Sequence, residues 1–222
     1  MAYNINDVYN LMDFITNKER GVFVSIPEAM QTLDVAQLEA VEDWFKLYGI
    51  DQTIHDAIRK LRVQIQFTSD SGGNVTFADD YLHILGGAYT VTGSSVNTVR
   101  FLNEDEVPFA LTSQLRPVTS TKPIAKDTST GFQLFPQSAQ TGFYNYIRRP
   151  KTPILATTGS GRVKTYDSAN SQQLEFTDQY NNNIIARALK FWGIFMSDKD
   201  VSQFAQLQME ETKATWVQLK KY

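Results

Sequence analysis

The stretch RVQIQFT at residues 62–68 marks the point where the hydrophobic pattern of the chain changes. Its apolar residues Val63, Ile65 and Phe67 alternate with polar ones, and a period of two places every second side chain on one face of an extended strand. Before residue 62, apolar residues recur every three to four positions, which is typical of helices. We therefore expect a helical module over residues 1–61, followed by a β module.

The helical module is predicted to contain three or four short helices joined by tight turns. Asn6 is placed to cap the first helix, and Gly21 is placed to end it. Its apolar positions follow the i, i+3, i+4, i+7 rule and are Val8, Leu11, Met12 and Ile15. One apolar stripe needs a partner, so this helix should pack against others in the module.

The next three helices are predicted from their start and stop signals. Pro27 suits the first turn of a short helix that runs through Leu33. Asp34 can cap a longer helix that Gly49 stops, and a further helix runs over residues 52–61. Together these elements make a compact helical module.

Short strands separated by Gly, Ser and Pro fill residues 62–176. The turn chemistry of residues 69–74 favours a hairpin that joins 62–68 to 75–77. The remaining expected elements are strands near 83–85, 88–91, 96–101, 132–135, 143–147 and 174–176 and a short helix near 104–114. This spacing predicts an antiparallel sheet or small barrel. Residues 113–130 are rich in Thr, Ser, Lys and Pro, and we interpret them as an extended arm or exposed loop.

Helical periodicity returns over residues 177–222, and Trp192 is a large apolar anchor of this segment. The candidate caps of its two helices are Thr177 or Asp178 for the first and Ser197 or Asp198 for the second. These helices are expected to pack with the N-terminal module. The predicted fold class is therefore α+β, with helices at both ends and a β centre.

The composition of the chain excludes several classes of function. The 222 residues include no cysteine, which excludes disulfides, thiolate metal sites and cysteine nucleophiles. The net charge of -3 does not favour gathering nucleic acid through the field of the whole protein. The N-terminus lacks the pattern of a signal peptide, and no apolar run approaches the ~20 residues of a membrane span. We expect no membrane contact and a protein made in the cytoplasm.

Ionisable residues do not form a recognisable reactive centre, so we expect no catalytic, cofactor-binding or metal-binding residues. His55 and His83 lie in different modules and are read as surface or interface residues. The carboxylates Asp79, Asp80 and those of residues 104–106 could hold a hard cation, but they also fit a solvated turn and a helix N-terminus. A hydrolase that uses Asp79, Asp80 or Glu104 is the least favoured reading.

Three short motifs have a functional and a structural interpretation. Residues 158–162 (TGSGR) resemble a phosphate loop but lack its Lys-Ser/Thr end, so a hairpin turn is favoured. Asn74-Val75-Thr76 matches a glycosylation acceptor, which means little without a secretion signal. The basic cluster of residues 148–151 (RRPK), with Tyr144 and Tyr146 before it, could clasp a phosphate backbone or pair with acids across a subunit interface.

Two stretches resemble signatures of a known family. Residues 143–153 (FYNYIRRPKTP), preceded by FQLFP at 132–136, resemble a "Tyr-Ile/Leu-Arg-Arg-Pro-x-x-Pro" element in structural proteins of phages that infect gut Bacteroidales. Residues 174–185 (LEFTDQYNNNII), leading into 188–194, resemble the strand-to-helix junction of the same proteins, and 79–84 (DDYLHI) is similar to a looser element. The chain therefore resembles the neck and tail ring proteins, or head-to-tail adaptors, of crAss-like tailed bacteriophages.

The resemblance implies a structural virion protein rather than an enzyme. Such a subunit forms a homo-oligomeric ring, a dodecamer, that stacks against the portal protein or an adjacent tail ring. The ring connects head and tail and encloses the channel through which packaged DNA passes without sequence-specific binding. The family offers no catalytic residues to carry over.

One alternative function comes from the residues themselves. Exposed Tyr and Trp side chains can act as stacking platforms, so a tail-associated carbohydrate- or receptor-binding module is the alternative to a ring subunit. Glycan binding by a monomer that forms no ring would favour it.

Overall fold

The structure, a computed structural model, describes residues 4–20, 24–49, 52–159 and 165–195, without the side chains of 17–20, 178, 179 and 192–195. The chain has an α+β fold. It divides into two compact units, which are a helical unit of residues 1–60 and 150–222 and a β unit of residues 61–149. The boundary after the β unit thus lies at residue 150, whereas the sequence placed it after residue 176.

The described helices, in chain order, are α1 (Ile5–Arg20), α2 (Ile26–Leu47), α3 (Gln52–Ala57), α4 (Val107–Thr112) in the β unit, and α5 (Asp178–Phe195). Single 3₁₀ turns precede β1 at Arg59–Leu61 and α4 at Glu104–Glu106. The predicted stop at Gly21 and the predicted helix from Ser197 or Asp198 lie outside the described residues, and so does the side chain of Trp192.

The second and third predicted helices are one continuous helix, α2, so the cap predicted at Asp34 is wrong. Ser25 precedes the helix instead, and its N and Oγ donate to Glu28 Oε2 at 3.1 and 2.6 Å. Asp34 lies in mid-helix, where its Oδ1 accepts a hydrogen bond of 2.8 Å from Gln37 Nε2. The buried stripe explains the continuity, because it runs without a break along the helix through Ala29, Leu33, Ala36, Ala40 and Trp44.

The inner face of α1 differs from the predicted one at one position. Ile5, Val8 and Met12 are buried, as their spacing requires, but Leu11 is 37% exposed. The side of α1 that carries Val8 and Met12 therefore faces the core, and Leu11 lies at the edge of that side.

Trp44 is the centre of the helical unit. Its ring makes edge-on contacts with Phe176 and Tyr180, with centroid distances of 5.3 and 5.4 Å. Through these contacts α5 packs along α2. The strand predicted at residues 174–176 is absent from the described structure, since Phe176 is buried in this aromatic cluster instead of pairing along a sheet.

A buried arginine also links these two helices. Arg187 of α5 is only 3% exposed. Its Nη1 lies 2.9 Å from Asp43 Oδ2 and 3.5 Å from Glu39 Oε1, both on α2, and its Nε donates to Asn183 Oδ1 at 2.9 Å. The Nη1 contacts are ion pairs whose alignment falls short of a hydrogen bond. The sequence analysis did not single out Arg187.

The ten described strands are β1 (Arg62–Thr68), β2 (Asn74–Thr76), β3 (Tyr81–Thr92), β4 (Ser95–Thr98), β5 (Arg100–Leu102), β6 (Ile124–Thr128), β7 (Gly131–Phe135), β8 (Thr141–Arg148), β9 (Thr157–Thr158) and β10 (Thr165–Tyr166). The first sheet has the order β1-β8-β3-β4, and the second has the order β2-β7-β6-β5. All pairs are antiparallel except β5 with β6. The sheets do not close into a barrel, so that alternative is wrong.

The hairpin predicted between residues 62–68 and 75–77 does not form. β1 pairs with β8, and β2 pairs with β7, so the turn between them carries the chain from one sheet to the other. Gly73 in this turn has a φ of 80°, and a Cβ atom there would lie 2.3 Å from the carbonyl oxygen of Leu134. The turn therefore needs glycine because it passes close to β7.

The predicted arm at residues 113–130 is partly a strand. Residues 124–128 form β6, an inner strand of the second sheet. Ile124 and Ala125 are buried, and these two apolar residues are enough to place the segment inside the sheet. Only residues 113–123 form an exposed loop, with one bridge between Thr119 and Lys122.

Aromatic side chains fill the space between the two sheets. Phe132 contacts the rings of Phe67 and Tyr144 edge-on at 5.5 and 5.8 Å. Period-two alternation explains this core, because Val63, Ile65 and Phe67 of β1 face inward together with their cross-strand partners on β8.

Candidate interaction surfaces

The tyrosines beside the basic cluster belong to the core. Tyr144 and Tyr146 are 1% and 3% exposed. Tyr144 Oη accepts a hydrogen bond from the amide of Ala78 at 3.1 Å, and Tyr146 Oη donates to Asp80 Oδ1 at 2.7 Å. Neither ring is available for stacking on a base. The part of the phosphate-clasp hypothesis that used these tyrosines is therefore wrong.

The environment of Tyr146 changes its acidity. Burial, followed by the hydrogen bond to Asp80 and the negative charge of that carboxylate, raises the pKa of Tyr146 to about 12. The hydroxyl is therefore a hydrogen-bond donor at neutral pH, and Asp80 has a structural role as its acceptor.

The backbone of the basic cluster is fixed by hydrogen bonds. In the β unit, Arg149 N donates to Asp80 O at 2.6 Å, and Arg148 Nη1 donates to Arg149 O at 3.1 Å. In the helical unit, Lys151 N donates to Glu175 Oε2 at 2.9 Å, and Lys151 O accepts from Gln37 Nε2 at 3.0 Å. A contact of these basic side chains with DNA or with a neighbouring subunit stays a prediction.

The two histidines have different local roles. His55 Nε2 lies 2.7 Å from Tyr48 O, and the imidazole stacks on the Tyr48 ring with centroids 3.9 Å apart. Because the carbonyl can only accept, Nε2 carries the proton, and His55 satisfies a backbone acceptor at the end of α2. His83 is half-buried on β3 opposite Ile147.

The carboxylate clusters also have structural partners. Glu104 Oε1 lies 3.7 Å from Lys126 Nζ, and Glu106 Oε2 accepts from Asn103 N at 3.3 Å. Among the residues that the structure describes, no group of three His, Cys, Asp or Glu side chains is placed to hold a metal ion.

The two remaining sequence motifs include residues of β-strands. Thr158 of the Gly-rich motif lies on β9, which pairs with β10, and residues 160–162 of this motif lie outside the described residues. Residues 74–76 of the glycosylation motif form β2. Asn74 of the glycosylation motif is held by Asp70, whose Oδ1 accepts from the Asn74 amide at 2.8 Å and whose Oδ2 accepts from Nδ2 at 2.9 Å.

The most distinctive surface is an open groove of about 600 Å³ between α4, the 113–123 loop and the end of β5, which we call the α4 groove. Its floor is apolar, because Leu102 and Ile124 pack against Val107 in a small core beneath it. Phe109, which lines the groove, is 78% exposed, and Leu115, next to the lining residue Arg116 on the loop, is 96% exposed. Large apolar side chains with this exposure are typical of an interaction site.

The α4 groove is also basic. Arg100, Arg116 and Lys122 line it, and Glu106 is the acidic residue among the lining side chains. An apolar floor surrounded by cations favours an amphipathic partner that carries negative charge. The sequence analysis missed this groove, although Leu115 between the polar residues Gln114 and Arg116 was a visible signal.

The outer face of the first sheet is a second candidate surface. Tyr89 of β3 and Phe143 of β8 are cross-strand partners, and their rings stack with centroids 5.0 Å apart. On the same face Asn145 of β8 pairs with the exposed Gln64 of β1. Aromatic faces beside amide side chains are common features of polar-ligand sites.

The chain matches no protein-family model and no curated protein. None of the described helices is both long enough and apolar enough to cross a membrane.

Proposed function

We propose that this chain is a non-enzymatic structural subunit that associates with copies of itself in a ring, at the neck or tail of a tailed bacteriophage. The observation that carries the proposal is the α4 groove and the loop that borders it, where Phe109 and Leu115 expose 78% and 96% of their surface. Contact with a protein partner removes this apolar surface from water, which is energetically favourable.

The exposed groups are large enough to anchor an interface. A buried aromatic side chain removes roughly 150–250 Å² from water, and a few such anchors dominate the energy of most interfaces. Closed rings use heterologous contacts, in which two different patches of one subunit meet. A groove in the β unit needs a complementary patch elsewhere on the same chain.

The resemblance of residues 143–153 and 174–185 to phage neck proteins supplies the setting of the proposal. In that setting twelve copies stack against the portal protein or an adjacent tail ring, in virions assembled in the host cytoplasm. Packaged DNA passes through the channel without sequence-specific binding.

Assembly is the direct test. Mass photometry and negative-stain images of the purified protein, alone and mixed with portal protein, should show rings. The double variant Phe109→Ser/Leu115→Ser should lose them, because it removes the exposed anchors. Ile154→Ser is the matched control, since Ile154 is 51% exposed but lies in the helical unit. A wild-type chain that stays monomeric with portal protein contradicts the proposal.

The outer face of the first sheet favours a second function, a tail-associated carbohydrate- or receptor-binding module. The stacked rings of Tyr89 and Phe143 lie beside the amides of Gln64 and Asn145, which suits a sugar with one apolar face. Glycan-array binding by the monomer, abolished by Tyr89→Ala but retained by Phe109→Ser, would favour this function over the ring.

A further inference from the structure

We propose that the α4 groove of one copy receives the exposed face of helix α2 from a second copy. This inference rests on the proposed ring function and names the two patches that meet. It joins the β unit of one subunit to the helical unit of the next.

The exposed face of α2 is a continuous stripe, which we call the α2 stripe. It consists of Glu28, Gln31 and Val35, which are exposed, and Leu38 and Glu42, which are half-buried. These positions are three or four residues apart, so they lie on one side of the helix, opposite the stripe of Ala29, Leu33, Ala36, Ala40 and Trp44 that is buried in the helical unit. Val35 at its centre is 47% exposed.

The α2 stripe has the pattern that helix-in-groove recognition requires. Its apolar residues Val35 and Leu38 lie in the middle, and acidic residues Glu28 and Glu42 lie at the two ends. The distance along the helix from Glu28 to Glu42 is about 21 Å at 1.5 Å per residue. Apolar anchors flanked by charge allow a helix to bind an apolar groove with a charged rim.

Charge complementarity selects α2 as the occupant. The helix contains five carboxylates, which are Glu28, Asp34, Glu39, Glu42 and Asp43, and one cation, Lys46. The α4 groove presents Arg100, Arg116 and Lys122 against a single carboxylate, Glu106. Opposite charges around an apolar contact steer the encounter and fix the register of the partners.

Two of the five carboxylates of α2 are used inside the helical unit, since Glu39 and Asp43 pair with Arg187. Glu28 is exposed near the start of α2, far along the helix from this ion pair. The carboxylate of Glu28 is therefore not one of those that hold α2 to α5.

Two different patches give this contact a direction. Each copy offers one α4 groove and one α2 stripe, so every subunit uses its groove toward one neighbour and its stripe toward the other. Such a head-to-tail contact produces a ring when the rotation closes.

Reversal of charge tests each patch separately. The groove variant Arg116→Glu/Lys122→Glu and the stripe variant Gln31→Lys/Val35→Lys each place like charges across the contact. Each should weaken self-association at least tenfold in sedimentation or mass photometry, in the presence of portal protein if the ring needs it. Thr157→Lys/Ser168→Lys adds the same charge to exposed positions away from the stripe and should assemble like wild type.

Mixing the two variants gives the decisive result. The groove variant keeps an intact stripe, and the stripe variant keeps an intact groove, so the wild-type contact forms between them. The reversed groove of the first and the reversed stripe of the second also carry opposite charges, so the expected products are larger assemblies in which the two variants alternate and which neither variant forms alone. The chain that combines all four substitutions has opposite charges again and should recover self-association. Circular dichroism establishes that each variant is folded.

The outcomes separate this inference from the proposed function. Rings that form equally well from both variants overturn the docking of α2 in the α4 groove but leave the ring function in place. Failure of the mixed variants to associate with each other also overturns the docking. A wild-type chain that never associates, alone or with portal protein, removes the proposed function itself.

Discussion

The two units of the chain are stabilised in different ways. The β unit is one continuous segment, and its core is aromatic, with Phe132 between the sheets and the buried hydroxyls of Tyr144 and Tyr146 hydrogen-bonded. The helical unit is assembled from two distant segments, which meet at Trp44 and at the ion pair of Arg187 with Asp43. One unit therefore relies on neutral tyrosines and the other on a charged pair.

This difference teaches that the units should respond to pH in opposite directions. Raising the pH ionises tyrosines that the fold keeps neutral, whereas lowering it neutralises a carboxylate that the fold keeps charged. Four substitutions test the comparison, beginning with the largest expected effect.

Gly131→Ala should disrupt the β unit. A Cβ atom at this position would lie 1.8 Å from the carbonyl oxygen of Val75, so β2 and β7 could not keep their register. We expect a loss of at least about 3 kcal/mol in the free energy of unfolding, or no folding of this unit. Hydrogen exchange should show the loss over residues 61–149. In Gly49→Ala the added Cβ has no neighbour within 4 Å, so that control should fold normally.

Trp44→Ala should destabilise the helical unit by about 3 to 5 kcal/mol, since it removes a buried aromatic side chain. The residue is 3% exposed and contacts both Phe176 and Tyr180. Urea unfolding measures the change. Val35→Ala on the exposed side of the same helix is the matched control and should change stability by less than about 0.5 kcal/mol. Equal losses in the two variants would contradict the assigned packing.

Arg187→Met should cost about 1 to 2 kcal/mol, because the two carboxylates that it leaves are partly exposed and remain solvated. Partial burial acts to raise the pKa of Asp43, but Arg187 and Lys46 outweigh it, and the pKa is lowered from its ordinary 3.8. The ion pair thus stabilises the fold above that value, and the stability is lost as pH falls through the lowered pKa. Urea unfolding between pH 2 and 6 should be less pH-dependent in the variant. A pH dependence identical to that of wild type would be evidence against this role of Asp43.

Tyr146→Phe should cost about 1 kcal/mol, the usual net value of one hydrogen bond. The folded pKa of about 12 exceeds the ordinary 10.0, so the contribution of the neutral hydroxyl is present below pH 10 and is lost as pH rises toward 12. Urea unfolding from pH 9 to 11.5 should show a shallower alkaline decline in the variant. Tyr89→Phe is the control, because its hydroxyl makes only a long contact of 3.5 Å with Gly86 O. If the stability of Tyr146→Phe declined more steeply with pH than that of wild type, the structural role assigned to the Tyr146 hydroxyl would be wrong.

The sequence predicted whether a segment is a helix or a strand better than it predicted which strands pair with each other. Local periodicity identified β1, the helical ends and the α+β class, because each depends on neighbours within a few residues. The hairpin of 62–68 with 75–77 was wrong, since strand pairing depends on residues far along the chain. The turn signal was real, but the turn connects two sheets. In the same way, the polar composition of residues 113–130 hid the inner strand β6.

The candidate surfaces were harder to predict. The basic cluster of residues 148–151 is visible in the sequence because its charged residues are nearly consecutive. The cations of the α4 groove are Arg100, Arg116 and Lys122, which lie on separate elements. No local pattern brings them together. The role of Tyr144 and Tyr146 was misread for a related reason, because period two places both of them on the inner face of β8.

The split construction of the helical unit has a consequence for synthesis. At roughly 5 to 20 residues per second, the ribosome needs about 7 to 26 s to proceed from the end of α2 to the start of α5. During that time the apolar side of α2 around Trp44 has no α5 to cover it, while the contiguous β unit can already fold. Under the proposed docking, the helix offered to a neighbour is fixed in place only when the helical unit closes, so a growing chain is a poor partner and a finished one is ready to join.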